Sequence, residues 1–590
     1  MNLSLESAAS VVSAPDQAAL EPHYLAAMRH RFKAEVNRMT GGAMRRLLAD
    51  QQDAERLSFP LSYLYAFHWL RRDIPDSAYR RAVLSAFKGS KRAFLMDLLA
   101  DSADARGFVG GYVEQLSSAE SDTSVQRHQL LKLLAQNGND PERLIARLLR
   151  IWEGLGLLRD SYAVAYRDLA RAERNRYGDL LGPQDVERLA LLDTLPDTGV
   201  GRSHFEKLGV IPAMGCPQTC RHCMFIWRPP MRNTPDPKPL LETLNTLTES
   251  LLFTGGDLTR HLDRFIGAIE SMDRIRTFAI LLNGDFADGR EVTDQTLKAM
   301  ASAIRSRPKS WAKAQVLLQI SFDELHQELI VDRSGKLKER IPVVKIANIV
   351  ECAPRYPEIQ LCLLHKQNAL NFSMDLFKQG VFGRLARELG RRGHQVRILS
   401  SAPSPRPKRH PLDSGRTGQV VKDASFVLTR FPKRPILLTS STVDAYGRGS
   451  LLDEGETVKE RDLLMQVLEG KAPPGEGFDT DLMFWFNGWT TLFSAVHVCL
   501  GDLYADGIET ILARHRKDPL TEALGCFDLR LLALYSEVRD DLERTISAAT
   551  SPHHLFHVIT EDAEVRLHMT RRLIGNAEQK EMARSKRRVG

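Results

Sequence analysis

Between residues 208 and 399 short apolar runs alternate with helical patterns, and this alternation limits the chain to a layered α/β architecture. The runs are Leu208-Gly209-Val210-Ile211, Leu251-Leu252-Phe253-Thr254, Thr277 to Leu282, Val316 to Ile320, Glu358 to Leu364 and His394 to Leu399. Each has the length of a strand, and each pair is separated by enough residues for a helical crossover. Pro237 to Leu244 and Met374 to Arg392 carry the helical pattern most clearly. Strands joined by helical crossovers are parallel, because antiparallel neighbours need only a tight turn. Functional groups in parallel sheets gather at the carboxyl ends of the strands. Cys216, Gly255-Gly256-Asp257, Asp285, Ser321 and Asp323 all follow such ends.

The first of these loops reads Cys216-Pro217-Gln218-Thr219-Cys220-Arg221-His222-Cys223. Three thiolates so close can hold three corners of an iron–sulfur cube and leave the fourth iron without a protein ligand. An open metal position is a catalytic arrangement, whereas a closed one is structural. Zinc is the alternative, with His222 as the fourth ligand, although its adjacency to Cys223 would strain the loop. Disulfide pairing suits the chain poorly: seven cysteines in 590 residues, three of them in one segment, read as a reducing compartment.

The C-x3-C-x2-C spacing resembles that of the radical S-adenosylmethionine (radical SAM) superfamily. The resemblance implies a [4Fe-4S] cluster on Cys216, Cys220 and Cys223, with SAM chelated to the open iron. It also implies reductive cleavage of SAM to a 5′-deoxyadenosyl radical, with electrons from a donor such as flavodoxin or ferredoxin. Gly255-Gly256-Asp257 is similar to the family's Gly-Gly-Glu, which binds the SAM amino group. The shorter Asp257 is a departure from it. Asp285 falls at the next strand end. Ser321 and Asp323 resemble the family's Ser-x-Asp, and His222 stands where an aromatic residue touches adenine. His326 follows Asp323 as in a subset of these enzymes. Six β/α units, rather than eight, imply a partial, open barrel over residues 205–400.

Outside that stretch, residues 1–20 read as disordered and 21–204 as a helical domain. Asp140-Pro141-Glu142 is a good helix start, and Phe59 to Trp69 is aromatic-rich. The segment 401–422 is rich in proline and charge and reads as a linker. Residues 423–525 order their elements like the SPASM or Twitch extension of radical SAM enzymes, depleted of its cysteines. A capping α+β region without a second cluster is therefore expected. Residues 526–590 read as a helical segment with a basic tail. Within it His557, Glu561, Glu564 and His568 recur on one helical face, a pattern of solvated charge or of divalent-ion ligands.

The composition, 43% hydrophobic and 26% charged, is that of a globular protein. No apolar run reaches the roughly 18 residues of a membrane span. Met1 to Ser7 lacks the basic and apolar regions of a secretory signal, so a cytoplasmic location is expected. A net charge of +7 is modest for this length. It suits an anionic small molecule better than nucleic acid. The expected function is radical chemistry on a peptide or, alternatively, on a small metabolite such as a sugar or amino-acid derivative. The contrasting class is a non-catalytic zinc- or cluster-bearing interaction protein.

Overall fold

The structure, a computed structural model, describes residues 180–575 apart from short breaks, together with a two-residue strand at Val11–Val12. The expected disordered terminus, most of the helical domain, the aromatic stretch, the Asp140 helix start and the basic tail lie outside the described residues. The chain forms an α/β fold around one large, mostly parallel sheet. Its order is β1-β9-β12-β13-β8-β5-β4-β3-β2-β14-β15-β16. The strands are β1 Val11–Val12, β2 Leu208–Ile211, β3 Ser250–Phe253, β4 Thr277–Leu282 and β5 Gln315–Ser321. A small ribbon follows, β6 Leu329–Val331 with β7 Leu337–Glu339, then β8 Ile359–Lys366 and β9 Val396–Pro403. Next come β10 Lys408–His410, β11 Asp413–Gly418, β12 Val421–Leu428 and β13 Ile436–Ser441. The last are β14 Leu482–Trp485, β15 Trp489–Leu492 and β16 Cys499–Asp502.

The run β14-β2-β3-β4-β5-β8-β13 is parallel throughout. Helices Lys238–Leu247, Leu262–Ser271, Arg290–Ser306 and Val343–Cys352 make the crossovers. Each lays an apolar face on the sheet. In the first, Leu240, Leu241, Leu244 and Leu247 are all buried, at the i, i+3, i+4 spacing that makes one helical stripe. Each such residue contributes about 1.5–3 kcal/mol of apolar burial. Phe253, Phe265 and Phe278 are fully buried between helix and sheet.

Two expectations need correction. The strand near His394 exists, but it is not the sixth parallel strand beside β8. That place belongs to β13, which pairs with β8 from Leu437↔Cys362 to Ser441↔Lys366. Strand β9 lies two positions further out, antiparallel to β12, which is itself antiparallel to β13. The reason lies in the connections: the segment between β9 and β12 folds into the β10–β11 ribbon rather than a crossover helix, and residues 429–435 between β12 and β13 are too few for one, so each strand folds back on its neighbour. The proposed linker at 401–422 is therefore mostly strand, including the β10–β11 ribbon.

The expected cap also sits differently. Strand β14 pairs parallel with β2, and β14, β15 and β16 continue the main sheet on that side. Strands β14 and β15 form a hairpin that turns at Asn487-Gly488: Gly488 has φ +105°, and a side chain there would strike Asp502. The last helix of the expected helical domain, Pro183–Thr194, belongs to this same body. Arg188 is fully buried, bonded to Asp518 at 3.0 Å and to the Cys499 carbonyl at 2.8 Å. Asp185 likewise pairs with buried Arg566 at 2.7 Å.

Behind the sheet, Glu351 gathers Arg290 (3.0 Å) from the helix Arg290–Ser306, and Arg392 (3.3 Å) and His394 (3.2 Å) from the turn before β9. Burial would raise its pKa, but the His394 hydrogen bond and the two guanidinium groups outweigh burial and hold it below the usual glutamate range. A carboxyl lowered in this way adds stability above its unfolded pKa of about 4.3 and loses it as pH falls through the folded value. Glu351→Gln is expected to cost about 1.5–3 kcal/mol at pH 7, since it removes the charged acceptor that Arg392 and His394 bond. The gap between variant and wild type should shrink below about pH 4. Urea denaturation of both proteins across that range measures it.

Candidate functional site

Residues 212–225 leave the carboxyl end of β2 and lie across the ends of the next three strands. The first hold is on β3. Thr254 donates to the Val210 carbonyl, Gly256 to Ala213 and Asp257 to Gly215, each at 2.9 Å. These bonds extend the ladder past the strands, so the Gly-Gly-Asp loop is zipped to the residues just before Cys216. The glycines allow it. Gly255 has φ +129°, a region that disfavours a side chain, and a Cβ there would lie 2.5 Å from the Ala213 oxygen. A methyl on Gly256 would overlap the Met214 and Gly215 carbonyls. The sequence pattern suggested close approach to a ligand; the structure brings the two glycines against the cysteine loop's own backbone.

Asp257 accepts from the Thr259 amide (3.1 Å) and hydroxyl (2.7 Å), both through Oδ1. The carboxylate is thus fixed at the start of the short helical turn Leu258–His261.

The second hold is on β4. Gln218 donates to Asp285 Oδ2 at 3.1 Å. The other oxygen of Asp285 accepts from Lys345 at 2.7 Å, and Lys345 also reaches Asp288 at 2.6 Å. Burial would lower the Lys345 pKa, yet these two carboxylates raise it above the ordinary lysine value. Asp285 is thereby a bracket between the cysteine loop and the helix Val343–Cys352. Sequence reasoning named Asp285 but missed Lys345, since one lysine in the first turn of a helix has no distinguishing local pattern.

The third hold is on β5. Asp323 is 1% exposed, and its Oδ1 accepts from the amides of Leu325 and His326, both at 2.9 Å. Its Oδ2 lies 2.9 Å from His326 Nδ1 and 3.8 Å from His222 Nε2. The imidazoles meet edge to face with centroids 4.5 Å apart. Burial opposes charge on Asp323, but the two histidines and the hydrogen bonds keep its pKa far below the usual carboxylate range. So buried a carboxylate, with both oxygens engaged, is placed to organise the two histidines. Ser321, half-buried, ends β5 beside Leu364.

Within the loop Cys220 is buried, and Cys216 and Cys223 are half-buried. Beneath it Ile211, Met214, Phe225, Met483, Trp485, Val496 and Cys499 form a small apolar core against which Cys223 packs. The β14–β16 strands therefore supply the floor of the cysteine loop. At its far end the Arg448 backbone amide donates to the Cys223 carbonyl at 2.9 Å, and Gly447 (φ +59°) lets the backbone pass against Met224.

Other polar groups of the fold do not join this site. His365 bonds Ser440 at 3.1 Å and packs on Phe382, and Lys366 bonds the Thr442 carbonyl. Both tie β8 to β13. The His557, Glu561, Glu564 and His568 face does not converge. His557 pairs with Glu561 (3.3 Å), Glu564 with Arg539 (3.0 Å) and His568 with Glu537 (2.9 Å). Cys362 and Cys499 lie on strands seven positions apart, and burial pushes their thiols up to about 11 and about 12. Burial also raises Cys352 and Cys526.

The fold and site together define an α/β protein with a thiol-bearing loop pinned along the carboxyl edge of a parallel sheet. No protein-family model matches the sequence, and comparison with curated proteins finds no match. Among the described residues no helix is long and apolar enough to cross a membrane.

Proposed function

We propose that the chain is a radical SAM enzyme that cleaves S-adenosylmethionine reductively and abstracts a hydrogen atom from an organic substrate. The observation that carries this reading is the cysteine loop, held by backbone and side-chain bonds along three successive strand ends. The donor set fits a three-thiolate cluster: Cys216, Cys220 and Cys223 share one loop, while burial keeps the remaining thiols protonated. When bound, a [4Fe-4S] cluster with SAM on its open iron supplies the electron that generates the 5′-deoxyadenosyl radical.

The chain's own residues hold and orient. Gly255 and Gly256 set the Asp257 loop against the cysteines. Asp257 Oδ2, which the Thr259 cap leaves unused, is the acceptor for the SAM ammonium. Asp285 and Ser321, at the next strand ends, would contact the rest of the cofactor. The six β/α strands from β2 to β13 curve as a partial barrel around it in this reading. A flavodoxin or ferredoxin supplies electrons.

The first substrate class is a peptide, on the SPASM- or Twitch-like element order of residues 423–525, with a small metabolite as the other class. Anaerobic reconstitution is expected to give about four irons and four sulfides per chain, an EPR spectrum altered by SAM, and substrate-dependent 5′-deoxyadenosine. Stoichiometric zinc without iron would overturn the proposal in favour of a zinc-bearing interaction protein.

A further inference from the structure

We infer that His222, Asp323 and His326 form a mononuclear site for a divalent transition-metal ion, separate from the cysteine triplet. Their donor atoms, two imidazole nitrogens and one carboxylate oxygen, all lie within 4.8 Å of one another. A tetrahedral ion bound at about 2.0–2.2 Å separates its ligand atoms by roughly 3.3–3.6 Å. The observed 2.9 Å and 3.8 Å from Asp323 Oδ2 to the two nitrogens bracket that edge. Small ring rotations therefore bring all three to one centre.

A plain aspartate–histidine pair explains less. It needs a single imidazole, and His326 already makes that hydrogen bond. The second imidazole turns a ring nitrogen toward the same oxygen at 3.8 Å, too long for a hydrogen bond and suited to a shared ion. The outer support of a metal site is also in place. Two backbone amides hold Asp323 Oδ1 and leave Oδ2 directed at both rings.

Two imidazoles and one carboxylate, with no thiolate, select ions of the zinc, iron(II) and manganese(II) kind over a cluster. Three protein ligands leave a coordination position open for water or an anionic or hydroxyl-bearing substrate group. The side chain of His326, 14% exposed against 8% for His222 and 1% for Asp323, marks the side from which such a group would enter. His222, between Cys220 and Cys223, makes the ion a clamp on the cysteine loop. None of this depends on a cluster being present.

The test is cobalt(II) titration, under anaerobic conditions, of the full-length, metal-stripped chain with Cys216, Cys220 and Cys223 replaced by alanine, which removes the thiolate triplet as a competing cobalt site. About one equivalent should bind with visible ligand-field bands and without thiolate-to-cobalt charge transfer. In that background Asp323→Asn and His326→Ala should weaken binding by at least about 100-fold. A gain of signal guards against unfolded variants: in the same background His326→Cys should add a thiolate charge-transfer band to the cobalt spectrum. No tight cobalt, unchanged affinity in Asp323→Asn and His326→Ala, or a His326→Cys spectrum without the new band would each overturn the site. Iron and sulfide analysis of the reconstituted protein reports the cluster separately, so either proposal can fail alone.

Discussion

Replacing Cys216, Cys220 or Cys223 singly with alanine is expected to reduce SAM cleavage to the background of cluster-free protein. A cube held by three thiolates has no spare protein ligand, so losing any one opens a second iron to solvent. The other thiols cannot substitute. Cys362 and Cys499 are buried on strands far apart in the sheet order and hold their protons to about 11 and about 12. Cys526 is exposed beyond the helix Pro519–Gly525, away from the loop in sequence and not packed against it. The alanine variants should still fold, because the loop's floor is made by Ile211, Met214, Trp485 and their neighbours rather than by the sulfurs. The measurement is 5′-deoxyadenosine released per chain after anaerobic reconstitution, with iron and sulfide content and circular dichroism recorded on the same samples. Turnover in any one variant would remove the three-thiolate assignment.

Gly256→Ala is expected to do nearly as much without touching a ligand. Its Cβ would overlap two backbone carbonyl oxygens, those of Met214 and Gly215, and neither can rotate away as a side-chain tip could. The strain, about 1–3 kcal/mol by analogy with overpacked cores, is relieved by parting the β3 loop from the cysteine loop. That breaks the Gly256 and Asp257 amide bonds that fix the residues preceding Cys216. Cluster assembly should fall about 10–100-fold, the range seen when groups that orient metal ligands are lost. A Gly267→Ala control has open space around the new methyl and should leave assembly unchanged. Equal iron retention in Gly256→Ala and wild type would show that the zipped loops are not what presents the cysteines.

Much of the α/β core was legible because its pattern is local. Thr277 to Leu282 alternates with helical segments whose apolar spacing is periodic, and the structure has a strand at those same residues. Strand identity is a property of a few adjacent residues; strand neighbourhood is not. Val396–Pro403 reads as a strand and is one, yet its partner is β12, set by how the intervening chain folds and not by its own residues. The same limit hid the role of residues 482–502, which read as a separate cap but extend the sheet from β2.

The candidate site divides similarly. The cysteine spacing, the Gly-Gly-Asp turn, Asp285, Ser321 and Asp323 are visible in the sequence because each follows an apolar run directly. Their mutual relations are not. Lys345 and Gln218 meet across Asp285 from positions 127 residues apart, a separation read from their numbers alone. His222 and His326 converge on Asp323 from different strand ends.

By itself the sequence determined which residues could carry metal chemistry and that strand ends would present them, since periodicity and spacing are written within short windows. Only the tertiary structure decided which of those ends lie side by side, because sheet order depends on connections and packing summed over the whole chain. It is that order which lays the cysteine loop across β3, β4 and β5 and sets two histidines against one buried carboxylate.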